Sequence, residues 1–220
     1  MLSEKIKFPL MNIFSVAFFI GITILISALF VSPFSVAGIP EVNQAGDPLE
    51  CDDSGYVSIG CGFSLMLPDD LKACHGWHRT FMIPLGKRSE DRYVTCGASY
   101  NGTCRTNLEE WVNEIVSSRL KDSDYTLSGK SNYKLIERFK TKLAELKAER
   151  YVLSYYDQET GTKMILDCID AFSTNFLDEN SCPVYMYSID LTTTAERYKQ
   201  DRETFEEIIQ SWKTEPAKGL

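Results

Sequence analysis

Between Thr106 and Leu120 the apolar residues Leu108, Trp111, Val112, Ile115, Val116 and Leu120 recur at steps of three and four, which predicts one stripe of an amphipathic helix. Thr106-x-x-Glu109 has the form of a capping box, so the helix is expected to start at Thr106. A second helix is expected from Thr193, where Thr193-x-x-Glu196 repeats that form and Tyr198, Phe205, Ile208, Ile209 and Trp212 share a face. Elsewhere the pattern is strand-like. Phe63, Leu65 and Leu67 alternate with Gly62, Ser64 and Met66 over 62–67, and segments 56–59, 78–85, 92–100, 133–139 and 184–191 are similarly short and β-prone. Segments 151–156 and 162–172 are expected to pair as a hairpin around the loop at 157–161. Segment 142–150 has helical composition. Strands, helix, strands, helix is an α+β order, and it implies an antiparallel β-sheet packed by two amphipathic helices.

The N-terminus carries a different signal. Lys5 and Lys7 precede an uncharged run from Phe14 to Val31, and Ser35-Val36-Ala37 places small residues where a signal peptidase reads. Residues 1–37 are thus expected to be a signal peptide, or an N-terminal anchor if uncleaved, since the run just reaches bilayer-spanning length. Residues 38–53 read as a polar linker, 54–213 as a single domain and 214–220 as a tail. Without Glu4, Lys5 and Lys7 the 23 basic and 31 acidic residues become 21 and 30, a net of −9. That balance argues against nucleic acid as a partner. All seven cysteines lie beyond residue 37, and in an oxidising compartment they are expected to form bridges. Loop-flanking positions suggest Cys168 with Cys182 and Cys96 with Cys104, and Cys61 with Cys74 is the third choice, leaving Cys51 free.

Three stretches carry a likeness: GFSLMLPDDL at 62–71, AERYVLSYYDQETGTKMILDCIDAF at 148–172, and VYMYSIDLTTTAERYKQDRETFEEIIQSW at 184–212. In that order they resemble the superfamily of the photosystem II accessory protein PsbP, which includes a Ran-binding nuclear import factor and exported bacterial members of unknown role. The resemblance implies an α-β-α sandwich and an accessory or binding role without a shared active site. The seven cysteines and the stretch CHGWH at 74–78 depart from that pattern.

CHGWH holds both histidines of the chain. As a zinc site it is short of ligands: His75 and His78 would need Cys74, Asp69, Asp70 or a distant carboxylate, and in an extended chain their spacing sends them to opposite faces. As a nucleophile pair it is weaker, because Cys74 and His78 would stand ~13 Å apart at strand rise. The favoured expectation is a disulfide-pinned loop in which Trp77 packs on the sheet edge and the histidines are solvated, and the second is that His75, Trp77 and His78 form a candidate binding surface for a partner. Tyr151, Tyr155, Tyr156, Tyr185 and Tyr187 could line a ligand groove, but cross-strand packing accounts for aromatic residues on strands more simply. Asn101-Gly-Thr103 is a glycosylation acceptor pattern.

Taken together, the sequence predicts an extracytoplasmic, non-catalytic module, periplasmic or secreted, that needs no cofactor or metal. It would bind a protein partner or small ligand, and meet a membrane only through an uncleaved N-terminus. The competing expectation is a hydrolase or metal-dependent enzyme centred on 69–78.

Overall fold

The computed structural model describes residues 51–52, 55–58, 62–75, 80–86, 92–121, 129–174 and 177–215. The chain divides into two units, Met1–Gly38 and Ile39–Leu220, and everything described lies in the second. The signal peptide or anchor expected at residues 1–37 therefore lies outside the described residues.

Eleven strands and two helices follow in the described chain: β1 Cys51–Asp52, β2 Tyr56–Ser58, β3 Phe63–Met66, β4 Ala73–His75, β5 Thr80–Pro84, β6 Tyr93–Tyr100, α1 Leu108–Lys121, β7 Lys130–Leu143, β8 Leu146–Asp157, β9 Lys163–Phe172, β10 Tyr185–Thr194, α2 Tyr198–Ser211 and β11 Lys213–Thr214. Eight strands form one sheet in the order β1-β4-β5-β6-β10-β9-β8-β7, and β11-β3-β2 form a small second sheet. All the paired strands run antiparallel. The α+β class is thus as expected, but sheet pairing extends to Asp52 and Thr214, just outside 54–213.

Strand alternation assigns one helix to each face of the large sheet. On one side Tyr151 and Leu153 of β8 and Cys168 of β9 pack with Val112 and Val116 of α1. Their sequence neighbours point the other way, where Ile169, Ala171, Tyr187, Ile189 and Leu191 pack with Phe205 and Ile208 of α2. The small sheet joins that second core through aromatic rings. Phe63 stacks on Trp212 at 4.0 Å and 11°, and Tyr187 meets the edges of both.

Three expected elements are corrected. Segment 142–150 is no helix: β7 and β8 turn at Ala144 and Glu145, with Leu143 opposite Leu146. Its Ala, Leu, Lys, Glu and Arg residues favour a helix in isolation, but pairing within the sheet overrides that propensity. Ala144 takes φ 51°, a conformation that glycine usually supplies in such turns. The first helix is capped one residue later than expected, since Oδ1 of Asn107 accepts from the Glu110 amide at 3.2 Å. The second helix starts at Tyr198 with no side-chain cap, because β10 continues through Thr193 and the Thr193 hydroxyl donates to Asp201 instead. The 157–161 loop forms as expected, closed by Asp157 N–H to Thr162 O at 3.0 Å.

The cysteine pairing also differs. Cys104 bonds Cys182, 78 residues away, while Cys96 and Cys168 are free and buried. The expected pairs Cys96–Cys104 and Cys168–Cys182 fail for the same reason: each strand runs on straight for four more residues past its cysteine, ~13 Å at strand rise, beyond bridging reach. β6 and β10 are neighbours, with Tyr100 opposite Tyr185, so the loops leaving one and entering the other meet at Cys104 and Cys182. Cys74 is disulfide-bonded. Cys61 lies outside the described residues, and the strand register places Cys51 across from Cys74.

Non-reducing peptide mapping is expected to recover the Cys104–Cys182 link and to find Cys96 and Cys168 alkylated only after unfolding. Replacing Cys104 and Cys182 together by alanine should cost ~4 kcal/mol by chain-entropy reasoning for a loop of this length, read from denaturant unfolding.

Candidate functional site

Of the surface expected at CHGWH, His75 ends β4, with its backbone opposite Phe81, and Trp77 and His78 lie outside the described residues. The five tyrosines do not share a groove. Tyr151 and Tyr155 face α1, Tyr185 and Tyr187 face α2, and Tyr156 is exposed. Tyr133 stacks on Tyr155 across β7 and β8 with centroids 5.1 Å apart, the cross-strand packing expected.

Asn101 is equally committed to structure. It is 6% exposed, its Nδ2 donates to the Arg105 and Pro183 carbonyls at 2.8 and 2.9 Å, and its Oδ1 accepts from Arg105 N–H. Both amide hydrogens are in use, so the folded chain offers no acceptor nitrogen to a glycan. Alongside it, a cleft of about 360 Å³ runs past Thr103, Asn107, Glu110 and Trp111, where the Arg105 guanidinium lies 4.8 Å above the Trp111 ring and also pairs with Glu114.

The buried charges fall into two groups, one per face. Under α2, Arg150 holds Asp167 through two bonds of 2.7 Å, reaches Glu206 at 2.6 Å, and shares Asp167 with the Tyr198 hydroxyl at 2.8 Å. Burial opposes the Arg150 charge, but the two carboxylates more than reverse this and its pKa rises. Arg92 grips Asp201 in the same fashion, beside a cleft of about 250 Å³ that also touches Arg197, Gln200 and Thr204. These pairs fasten α2 to the sheet.

Under α1, Tyr151 donates to Asp170 at 3.0 Å, Ser188 donates to Asp190 at 3.1 Å, and Arg119 Nη1 lies 3.7 Å from Cys168 Sγ. Burial pushes the Cys168 thiol well above its ordinary range, and pushes Cys96 up to about 12. Neither free cysteine is held as a thiolate, so neither is prepared as a nucleophile. Sequence reading passed over this group because its members sit on different strands and follow no spacing rule.

The sheet ends at β7, a 14-residue strand with one unpaired edge among the described residues. Its irregular stretch exposes two adjacent apolar residues, Leu135 at 41% and Ile136 at 56%, next to the register shift before Glu137. Lys130, Lys134, Arg138, Lys140 and Lys142 against Glu137 make this strand basic within a chain of net charge −8. Arg138 pairs with Glu149 and Lys140 with Glu109. Lys134 and Lys142 remain exposed on either side of Ile136.

No family model and no curated protein matches the sequence, but solved structures do. The chain is similar to PsbP. The cyanobacterial protein (CyanoP) from Synechocystis sp. PCC 6803 is 11% identical, with 76% of this chain and 94% of that one covered and a TM-score of 0.47. LpqN of Mycobacterium tuberculosis, described as involved in cell envelope biogenesis, is 12% identical over 78% of this chain and 87% of its own, with a TM-score of 0.49. PA94 of Pseudomonas aeruginosa, a protein of unknown function described as a putative regulator, is 13% identical over 70% and 92%, at 0.42. The PsbP-like resemblance read from the sequence is thus met among solved structures. At TM-scores below 0.5 it transfers no role to this chain.

Replacing Arg150 by alanine would leave Asp167, which is wholly buried, without its counter-charge. A loss of ~3–5 kcal/mol is expected in urea unfolding, whereas Lys140→Ala, at an exposed pair, should cost under ~1 kcal/mol.

Proposed function

We propose that this chain is an extracytoplasmic, non-catalytic binding module, and that β7 is the edge with which it grips an extended, acidic segment of a partner protein. The observation that carries the reading is the strand itself. Edge strands in soluble proteins are commonly short or covered, because a row of unpaired amides and carbonyls is a template for another chain. β7 is long, and it presents Leu135 and Ile136 between exposed lysines. An added strand would gain main-chain hydrogen bonds from the edge, apolar contact from Leu135 and Ile136, and selection by charge from Lys134 and Lys142. The same lysines disfavour pairing between two copies of the chain. The Cys104–Cys182 bond fits an oxidising compartment, in keeping with the export signal expected at residues 1–37.

An alternating Val-Glu decapeptide is expected to shift β7 amide resonances of the protein, and an alternating Val-Lys decapeptide to leave them in place. The double change Leu135→Lys with Ile136→Lys should abolish the shifts while altering stability by no more than ~0.5 kcal/mol, as for other surface positions. Peptide-induced shifts centred on Cys74 and His75 instead would move the binding surface to the CHGWH loop.

A further inference from the structure

Between the sheet and the last turns of α1 lies a cluster that the binding reading does not use. β9 supplies Cys168 and Asp170, β10 supplies Ser188 and Asp190, β8 supplies Tyr151, and α1 supplies Arg119. In the register Asp170 stands opposite Ser188 and Cys168 opposite Asp190, so the two carboxylates are diagonal neighbours on one face. Thr95 of β6 pairs with Asp190, and Tyr93 lies two residues along the same strand. Tyr133 of β7 packs on the same side. The remaining charges here are Arg138 of β7 and Glu149 of β8, which satisfy each other at 2.6 Å, and Lys130 of β7, which lies 5.5 Å over the Tyr155 ring, feels the Arg119 charge, and stands across from Asp157 of β8.

With Lys130 set against Asp157 and Arg138 against Glu149, counting charges leaves Asp170 and Asp190 against Arg119. One of the three is in surplus. With Asp170 buried and Asp190 half-buried beside a single guanidinium, the two carboxylates cannot both ionise cheaply, and a shared proton is the usual relief. We propose that Asp170 and Asp190 together hold one proton that keeps α1 seated on the sheet, and that losing this proton loosens the last turns of the helix.

The direction of the titrations agrees. Burial first, and then the neighbouring Asp190 charge, raise Asp170 from 3.8 to about 7, and burial also raises Asp190. With α1 lifted and water admitted, both return to the ordinary carboxylate range near 4. The seated state therefore binds the proton more tightly than the lifted state. Its advantage is complete below pH ~4, falls as pH rises from ~4 to about 7, and levels off above. The device stands whether or not β7 is a docking edge.

The test uses the full chain, with carboxyl carbon titration and amide hydrogen exchange followed together by NMR. One buried aspartate should titrate near pH 7. Protection factors of α1 amides near Arg119 should fall roughly tenfold or more between pH ~5 and ~7.5, while those of α2 stay level. In Asp170→Asn the fall should disappear, and in Asp190→Asn the remaining carboxyl should titrate lower. Titration of both aspartates below pH ~5, or an unchanged pH slope of α1 protection in Asp170→Asn, would overturn the proposal. Should Asp170→Asn fail to fold, titration and exchange in the unaltered protein decide the matter.

Discussion

Strands β8 and β9 are covered on both faces, by α1 on one and α2 on the other, and this double cover governs the remaining architecture. A strand with one wet face can send every second polar residue to water. These strands cannot. Arg150, Asp167 and Asp170 must find partners inside the molecule, because an unpaired buried charge costs several kcal/mol. The two polar groups flanking the sheet are the result, and each ties a helix to strands distant in sequence.

The two faces solve this problem differently. Under α2 the charges close into pairs: Arg150 with Asp167 and Glu206, and Arg92 with Asp201. Under α1, once Arg138 is paired with Glu149 and Lys130 set against Asp157, one guanidinium faces two aspartates, with Tyr151 and Ser188 as hydroxyl donors. A closed pair is indifferent to pH across the neutral range, whereas an odd carboxylate is not. The asymmetry lets one sheet carry a fixed helix and a responsive one.

Where cover ends, chemistry of another kind begins. At β7 the backbone has a free edge among the described residues, and Lys134, Leu135, Ile136 and Lys142 there face water. At the end of β6 and the start of β10 the chain is secured covalently, since the loops after β6 and before β10 are joined by Cys104–Cys182 and by the Asn101 hydrogen bonds to Arg105 and Pro183.

The sequence alone determined the α+β class, both helical stripes, and most strands, because apolar periodicity is local and both helices pack through it. It was misleading wherever local spacing met a turn or a neighbour. Segment 142–150 was helical in composition yet holds the two-residue turn between two strands, and Thr193 looked like a cap until Asp201 came within reach of its hydroxyl. Tertiary structure decided the disulfide, because strand order sets which loops meet: β6 and β10 lie side by side although 84 residues of chain separate Tyr100 from Tyr185. It also decided the aspartate cluster. Asp170 and Asp190 share no motif, and they became neighbours through the register of β9 on β10, which is a long-range pairing that no window of sequence contains.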